Sequence, residues 1–287
     1  MRILIAAKDE SMTSIKLAAL DVDGTLVRSD MTVTKRVDSA VRSLMDAGVT
    51  VAVVTGRTTN ELKEIRARFP QIRYFVVSNG ARGYDTVTGE DFYQNLLPLS
   101  IAKTVAKETL NMQVMLEAYA DGAAYVPRAC WENRAFYDAA YLLHPSLSAG
   151  RVPIDDVHAF LDERRSDIEK LYISFHDPSD LDKLYSFCGN LPVDQVVSIQ
   201  NGLEINQSGV EKGAGFRALC DYLDVSQEET AAVGDGFADI PLFQSAGLSI
   251  AMGNATPHVQ KSAKLVAPDN NSDGAVWAIE QILNTAK

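Results

Sequence analysis

The chain has 287 residues, 46% of them apolar and 23% charged, and a formal net charge of −11. That balance supports a packed core, and the excess of acids without a basic run excludes a nucleic-acid-binding surface. No stretch approaches the ~20 consecutive apolar residues of a membrane span, so neither a nucleic acid nor a membrane is expected as partner. Cys130, Cys188 and Cys220 are odd in number and scattered, which reads as reduced thiols in a cytoplasmic protein.

Arg2–Ala7 is a short apolar run cut off by Lys8-Asp9-Glu10, too short for a signal peptide. Met12 opens a segment that flows into the first strand, so residues 1–13 read as an extension. Ile15–Leu20 reads as a buried strand. Val33–Ala47 carries a helical stripe of Val37, Ala40, Val41, Leu44 and Met45, ended by Gly48. Val49–Val54 is a continuous run suited to a strand covered on both faces. Thr58-Thr59-Asn60-Glu61 supplies a capping box for a helix to Phe69, and Tyr74–Val77 is a third strand. This βαβαβ order predicts a parallel sheet.

The middle of the chain changes character. Met112–Tyr119 and Ala123–Val126 flank Ala120-Asp121-Gly122 as a hairpin. A helix over Val157–Arg165, a strand over Leu171–Phe175 and a helix over Leu181–Cys188 follow. Val196–Gln200 and Leu203–Asn206 then read as a second hairpin turning at Asn201-Gly202. After Lys212 the first pattern returns: a helix to about Leu223, a capped turn at Ser226–Glu229, and strands at Thr230–Val233, Leu248–Met252 and Leu265–Ala267. The prediction is a parallel α/β domain, residues 14–89 and 201–287, split by an α+β module over 90–200.

Four clusters fall at the carboxyl ends of predicted strands, where open parallel sheets bind ligands. Asp21 and Asp23 follow the first strand; like charges this close resist joint ionisation unless a cation lies between them, although Asp-Gly is also a common turn pair. Thr55-Gly56-Arg57 follows the second, where Thr55 could meet an anion or cap a helix. Lys212 opens a helix; taken alone, it reads as a solvated lysine. Asp235 and Asp239 follow Thr230–Val233, the latter also suited to a helix start by its dipole. Acid oxygens suit Mg²⁺; zinc would want His or Cys, and His144, His158, His176 and His258 are dispersed. An aspartate can attack phosphorus, and a second acid can protonate the leaving oxygen.

These segments resemble the haloacid dehalogenase-like superfamily of phosphatases, in its Cof-like group with a C2B-type cap. The resemblance is carried by Asp-Val-Asp-Gly-Thr-Leu (21–26), Val-Val-Thr-Gly-Arg (53–57), Ser-Asn-Gly-Ala (78–81), Gly-Val-Glu-Lys-Gly (209–213), Gly-Asp-Gly-Phe-Ala-Asp-Ile-Pro (234–241) and Ala-Met-Gly-Asn-Ala (251–255). It implies a Rossmann-like core with an inserted cap, and it implies Mg²⁺. Asp21 would be the nucleophile and Asp23 the general acid and base, with its backbone carbonyl on the metal. Thr55 and Lys212 would hold the phosphoryl group, and Asp235 and Asp239 the metal site. Gly56, Asn79 and Gly80 would line the phosphate pocket, with Asn254 and Asn270 or Asn271 on its rim. The family usually has Asn where this chain has Ala238, a lost amide near metal or phosphate.

The resemblance implies a phosphatase for a small phosphorylated metabolite, a sugar phosphate, in a monomer or homodimer. A phosphosugar mutase and a non-catalytic phospho-ligand sensor are the alternatives; intact Asp21, Asp23, Lys212 and Asp235 argue against the sensor. Arg128, Arg134 and Lys170 are candidate contacts within the cap, though each reads more readily as surface charge.

Overall fold

The computed structural model describes residues 14–137, 139, 145–197 and 201–285. Their strands are β1 Leu17–Leu20, β2 Thr50–Val54, β3 Tyr74–Val77, β4 Arg82–Asp85, β5 Asp91–Gln94, β6 Val114–Ala120, β7 Ala123–Pro127 and β8 Arg151–Ile154. They continue as β9 Lys170–Phe175, β10 Val193–Val197, β11 Gly202–Gln207, β12 Thr230–Gly234, β13 Leu248–Ala251 and β14 Leu265–Val266.

Eight strands form one sheet in the order β14-β13-β12-β1-β2-β3-β4-β5. It is parallel from β14 to β3. Successive residues of its central strands go to opposite apolar layers. Ala18, Leu20, Val51 and Val53 pack in one layer, and Leu17, Ala19, Ala52 and Val54 in the other. That is why these strands read as continuous apolar runs rather than alternating ones. Helices Lys35–Asp46 and Gly274–Thr285 pack together on one face. Lys212–Leu223 and Ile240–Gln244 pair on the other. Thr34 caps the first helix by accepting from the Val37 N–H at 3.1 Å.

The second sheet has six strands in the order β10-β11-β9-β6-β7-β8, antiparallel except for β7 beside β8. Its apolar face, with Leu116, Ala118, Leu171, Ile173, Leu203 and Ile205, packs against helices that include Leu99–Glu108, Val157–Glu163 and Pro178–Cys188.

Several expectations change. β4 pairs antiparallel with β3 and β5 antiparallel with β4, so the first sheet is mixed and extends to Gln94, beyond the border expected at residue 89. β11 belongs to the second sheet, so the chain returns to the first only after Gln207 and not at residue 201. Asn95 Nδ2 donates to the Ser208 carbonyl at 3.2 Å, tying the two crossings together. Val197 pairs with Leu203, so Asn201-Gly202 is not a two-residue turn; residues 198–200 of that connection lie outside the described set. Gly202 is itself a strand residue opposite Ser174, and β9 rather than the turn sets its position. The capping box of Thr58 and Glu61 forms, but it opens a 3₁₀ turn, Thr59–Leu62, ahead of the helix Lys63–Arg68. Residues 1–13 and His144 lie outside the described residues. No described helix is long and apolar enough to cross a membrane.

Candidate active site

Asp21 sits at the carboxyl end of β1, its N–H donating to the Val233 carbonyl at 3.0 Å, which locks it beside the end of β12. Lys212 Nζ lies 2.7 Å from Asp21 Oδ1 and 2.7 Å from Asp239 Oδ1, and all three side chains are buried. Asp239 Oδ2 accepts from the N–H groups of Asp235 (2.9 Å) and Gly236 (2.8 Å), so this carboxylate folds the loop after β12 around itself. One carboxylate oxygen from each of Asp21, Asp235 and Asp239 lies within 4.8 Å of the others.

The charges are unbalanced. Burial pushes the Asp21 carboxyl well above the usual range; Lys212 pulls it down, while Asp239, Asp235 and Asp23 push it up again. Asp235 is pushed up to about 6, by burial and then by Asp239. Burial also opposes the charge of Lys212, but Asp21 and Asp239 outweigh it and raise its pKa. Three crowded carboxylates around one ammonium are a donor set for a further hard cation. Their oxygens fit Mg²⁺, which takes oxygen ligands and keeps several waters.

Asp23 does not join this group through its carboxylate. Arg57 holds it with two bonds, Nε to Oδ2 at 2.8 Å and Nη2 to Oδ1 at 2.6 Å, and the side chain is 46% exposed. Arg57 is buried and also donates to the Glu61 carbonyl at 3.2 Å. Sequence reasoning left Arg57 without a role of its own. Its signal was its place at a strand end, two residues past Thr55.

Thr55 is fully buried at the end of β2; its Oγ1 accepts from the Arg57 N–H at 3.2 Å. The Asn79 N–H donates to the Thr55 carbonyl at 3.0 Å, and Gly56 lies against the Asn79 side-chain amide. Ser78, Asn79 and Gly80 all have positive φ, at 51°, 56° and 101°. Left-handed backbone costs a non-glycine residue roughly 1–2 kcal/mol, so the loop after β3 is held by its surroundings. At Gly80 a Cβ would lie 2.1 Å from the Glu211 carbonyl oxygen. Only glycine lets this loop meet the start of the Lys212 helix. At Gly24, φ 72°, a Cβ would lie 2.2 Å from Asp235 Oδ2, and the absent side chain leaves room for that carboxylate.

The structure therefore brings Asp21, Asp235, Asp239 and Lys212 together, and Thr55, Gly56, Asn79 and Gly80 beside one another. Asn254 belongs with the acids: its Nδ2 donates to Asp235 Oδ2 (3.0 Å) and to the Gly24 carbonyl (2.9 Å), and its Oδ1 accepts from the Asn270 N–H. Asn270 is buried on the Val27 carbonyl, whereas Asn271 is exposed against Ser29. Ala238 is exposed; the amide that meets Asp235 here is that of Asn254. Arg128 is largely exposed beside Asp155, and Arg134 lies over the Trp131 ring. Lys170 is not surface charge: it is buried and paired with Glu204 at 2.6 Å.

The second sheet touches the first through charged residues that were read only as parts of elements or passed over. Arg151 of β8 binds Glu61 of the 3₁₀ turn and Glu117 of β6. Glu204 of β11 accepts from Asn79 Nδ2 at 3.0 Å, and Glu169 pairs with Ser78. A charged residue inside an apolar strand run, such as Glu117, was the available signal.

A parallel sheet that gathers acids and one lysine at its carboxyl edge, under a second sheet that touches the same loops, is the arrangement of a capped hydrolase. The model of the haloacid dehalogenase-like hydrolases matches residues 18–279, and the chain belongs to this family. A 5-amino-6-(5-phospho-D-ribitylamino)uracil phosphatase of Bacillus subtilis is 25% identical over 271 residues, covering 92% of this chain and 94% of that protein. The fold is similar to that of a haloacid dehalogenase-like hydrolase from Bacteroides thetaiotaomicron, with a TM-score of 0.81 at 23% identity, covering 94% of this chain and all of that one. It is also similar to a HAD subclass IIB sugar phosphatase, with a TM-score of 0.74 at 19% identity, covering 93% and 98% of the two chains.

Proposed function

We propose that the protein is a Mg²⁺-dependent phosphatase that hydrolyses a small phosphorylated metabolite, a sugar phosphate, through an aspartyl-phosphate. The observation that carries this reading is the buried Asp21 held by Lys212 between Asp235 and Asp239. Asp21 attacks phosphorus, and the leaving oxygen takes a proton from Asp23. Asp23 then accepts a proton from water, which attacks the aspartyl-phosphate and frees Asp21 and phosphate. Lys212 offsets charge on the nucleophile and the phosphoryl oxygens, and Thr55 hydrogen-bonds that group. Asp21 and Asp235, with the Asp23 backbone carbonyl, would hold Mg²⁺, and Asp239 would support them through Lys212 and the loop it folds. When bound, the ion neutralises charge on the transferring phosphoryl group. The phosphatase named above supports a small phosphorylated substrate, and the free thiols of Cys130, Cys188 and Cys220 suit the cytoplasm.

The test is phosphate release from a panel of phosphorylated metabolites, with Mg²⁺ and with excess chelator. Metal-dependent release is expected, and full activity in chelator would sink the reading. Phosphorus NMR of the products separates hydrolysis from phosphoryl return to the sugar.

A further inference from the structure

Ser78, Asn79 and Gly80 hold positive φ one after another, and two of the three are not glycine. Backbone in that state persists only where its surroundings fix it. Part of the hold comes from the first sheet. The Ser78 N–H donates to the Arg57 carbonyl and the Asn79 N–H to the Thr55 carbonyl, each at 3.0 Å. These two bonds tie the loop to the strand end that carries Thr55 and to the Arg57 that grips Asp23. A loop that slips therefore moves both.

The rest of the hold comes from the second sheet, through side chains. The Ser78 hydroxyl donates to Glu169 Oε2, and Asn79 Nδ2 donates to Glu204 Oε1 at 3.0 Å. The other end of the Asn79 amide is fixed as well, since a Cβ at Gly56 would lie 2.8 Å from Asn79 Oδ1. Turning that amide over would set its oxygen against the Glu204 carboxylate, two acceptors with no proton between them. Each glutamate is anchored from behind. Glu169, just ahead of β9, also accepts from the Gly122 N–H at 2.9 Å, and the Gly122 carbonyl accepts from the Asn60 N–H at 2.9 Å. Glu204, on β11, also accepts from Asn206 Nδ2 at 2.9 Å and from Lys170 Nζ at 2.6 Å. Burial opposes the Glu204 charge, but Lys170 and these hydrogen bonds outweigh it and lower its pKa. Both acceptors are thus set by the second sheet before the loop meets them.

We propose that Glu169 and Glu204 are positioning residues: they hold the loop after β3 in its left-handed form and so build the phosphate pocket without touching the substrate. The inference rests on the phosphatase reading above. It differs in kind from a leaving-group contact. Such a contact acts on some esters, whereas a misplaced pocket weakens the grip on the phosphoryl group that all of them share.

The test compares variants of similar size that keep or remove the acceptor. Glu169→Gln keeps it and Glu169→Met does not. At Glu204 the comparison is made in Lys170→Met, so that no ammonium is left buried alone; Glu204→Gln then keeps the acceptor for Asn79 and Glu204→Met removes it. Inorganic phosphate is the probe, as a competitive inhibitor. Beside it, kcat/KM is measured for the two best substrates of unlike leaving group from the metabolite panel, with circular dichroism for the fold. The Met variants should weaken phosphate inhibition and lower kcat/KM for both esters by the same factor, at least about tenfold, since a shift of ~1 Å can cost about 10²-fold. The Gln counterparts should retain most of both. Unchanged phosphate inhibition in one folded Met variant removes that residue from the assignment, and in both it overturns the inference while the phosphatase reading stands. So does a loss confined to one ester, which marks a leaving-group contact, or an equal loss in the Gln counterparts. Ser78→Ala removes a single hydroxyl and decides where the Met variants do not fold: weaker phosphate inhibition is expected, and an unchanged inhibition constant overturns the inference. No hydrolysis of any ester by the wild type overturns the phosphatase reading and the inference with it.

Discussion

In the first sheet, Ala18 and Leu20 go to one apolar layer and Leu17 and Ala19 to the other, and the charged groups begin only where the strand ends, at Asp21. In the second sheet, β6 alternates Leu116 and Ala118 on one face with Glu117 and Tyr119 on the other, and both faces are buried. The difference shows two ways of placing chemistry on a sheet. At a strand end, loops bring backbone N–H groups and further charges around a carboxylate, as Asp239 draws in the N–H groups of Asp235 and Gly236. On a strand face the backbone is spent on the ladder, so every buried charge depends on another side chain. Taking an ion out of water costs several kcal/mol, and the second sheet meets that cost with Arg151 and Lys170.

The sharpest break on the strand-end side is Asp21→Asn. It should lower kcat by at least ~10³-fold while the circular dichroism spectrum is unchanged. Substantial phosphate release by a variant shown by mass to be free of deamidation would exclude Asp21 as nucleophile.

On the strand-face side, Arg151→Met leaves Glu61 and Glu117 buried without their cation. Loss of one partner of a buried pair costs about 3–5 kcal/mol, to be read in urea unfolding. Combining it with Glu61→Gln and Glu117→Gln should recover much of that loss. No recovery would mean that packing of the Arg151 stem, and not charge, holds the two sheets together.

The acid site should also show itself in pH dependence. Asp235, pushed up to about 6 in the metal-free protein, binds its proton more tightly folded than unfolded, where an aspartate titrates near ~3.9. Its contribution is therefore fully present below about pH 4 and lost as pH rises to about 6. The thermal midpoint in chelator should fall across that window, and Asp235→Asn should flatten the fall. Mg²⁺, which needs the ionised carboxylate, should raise the midpoint more at pH 7 than at pH 5. A flat profile in chelator would contradict the crowding of these acids.

The smallest effect is expected at Ala238. It is exposed, and Asn254 already donates to Asp235. Ala238→Asn should change kcat/KM by no more than about fivefold, the effect of one hydrogen bond of ~1 kcal/mol. A change of orders of magnitude would make the missing amide a control point of the site.

Much of the first sheet was legible because its signals are local. β1, β2, β3 and β12 are apolar runs followed by turn residues, and Thr58 with Glu61, and Ser226 with Glu229, form the capping boxes their spacing predicts. The helix expected from Lys212 to about Leu223 spans those residues. The antiparallel strands β4 and β5 were not legible. Asp91–Gln94 has no run of its own, and its strand character comes from pairing with Arg82–Tyr84. The border of the inserted sheet moved for the same reason, since β11 is placed by Leu171–Ser174 across from it.

The sequence by itself determined the parallel core, the existence of an insertion, and the acids, lysine and threonine that stand at strand ends. These follow from periodicity and from residues adjacent along the chain. Only the tertiary structure decided that Asp23 pairs with Arg57, that Asn254 lies with Asp235, that Lys170 is buried on Glu204, and that Arg151 joins two carboxylates from different sheets. The physical reason is that a charged side chain looks the same in sequence whether it is solvated or paired. Which of the two it becomes depends on partners that lie 19 to 90 positions away in these five contacts.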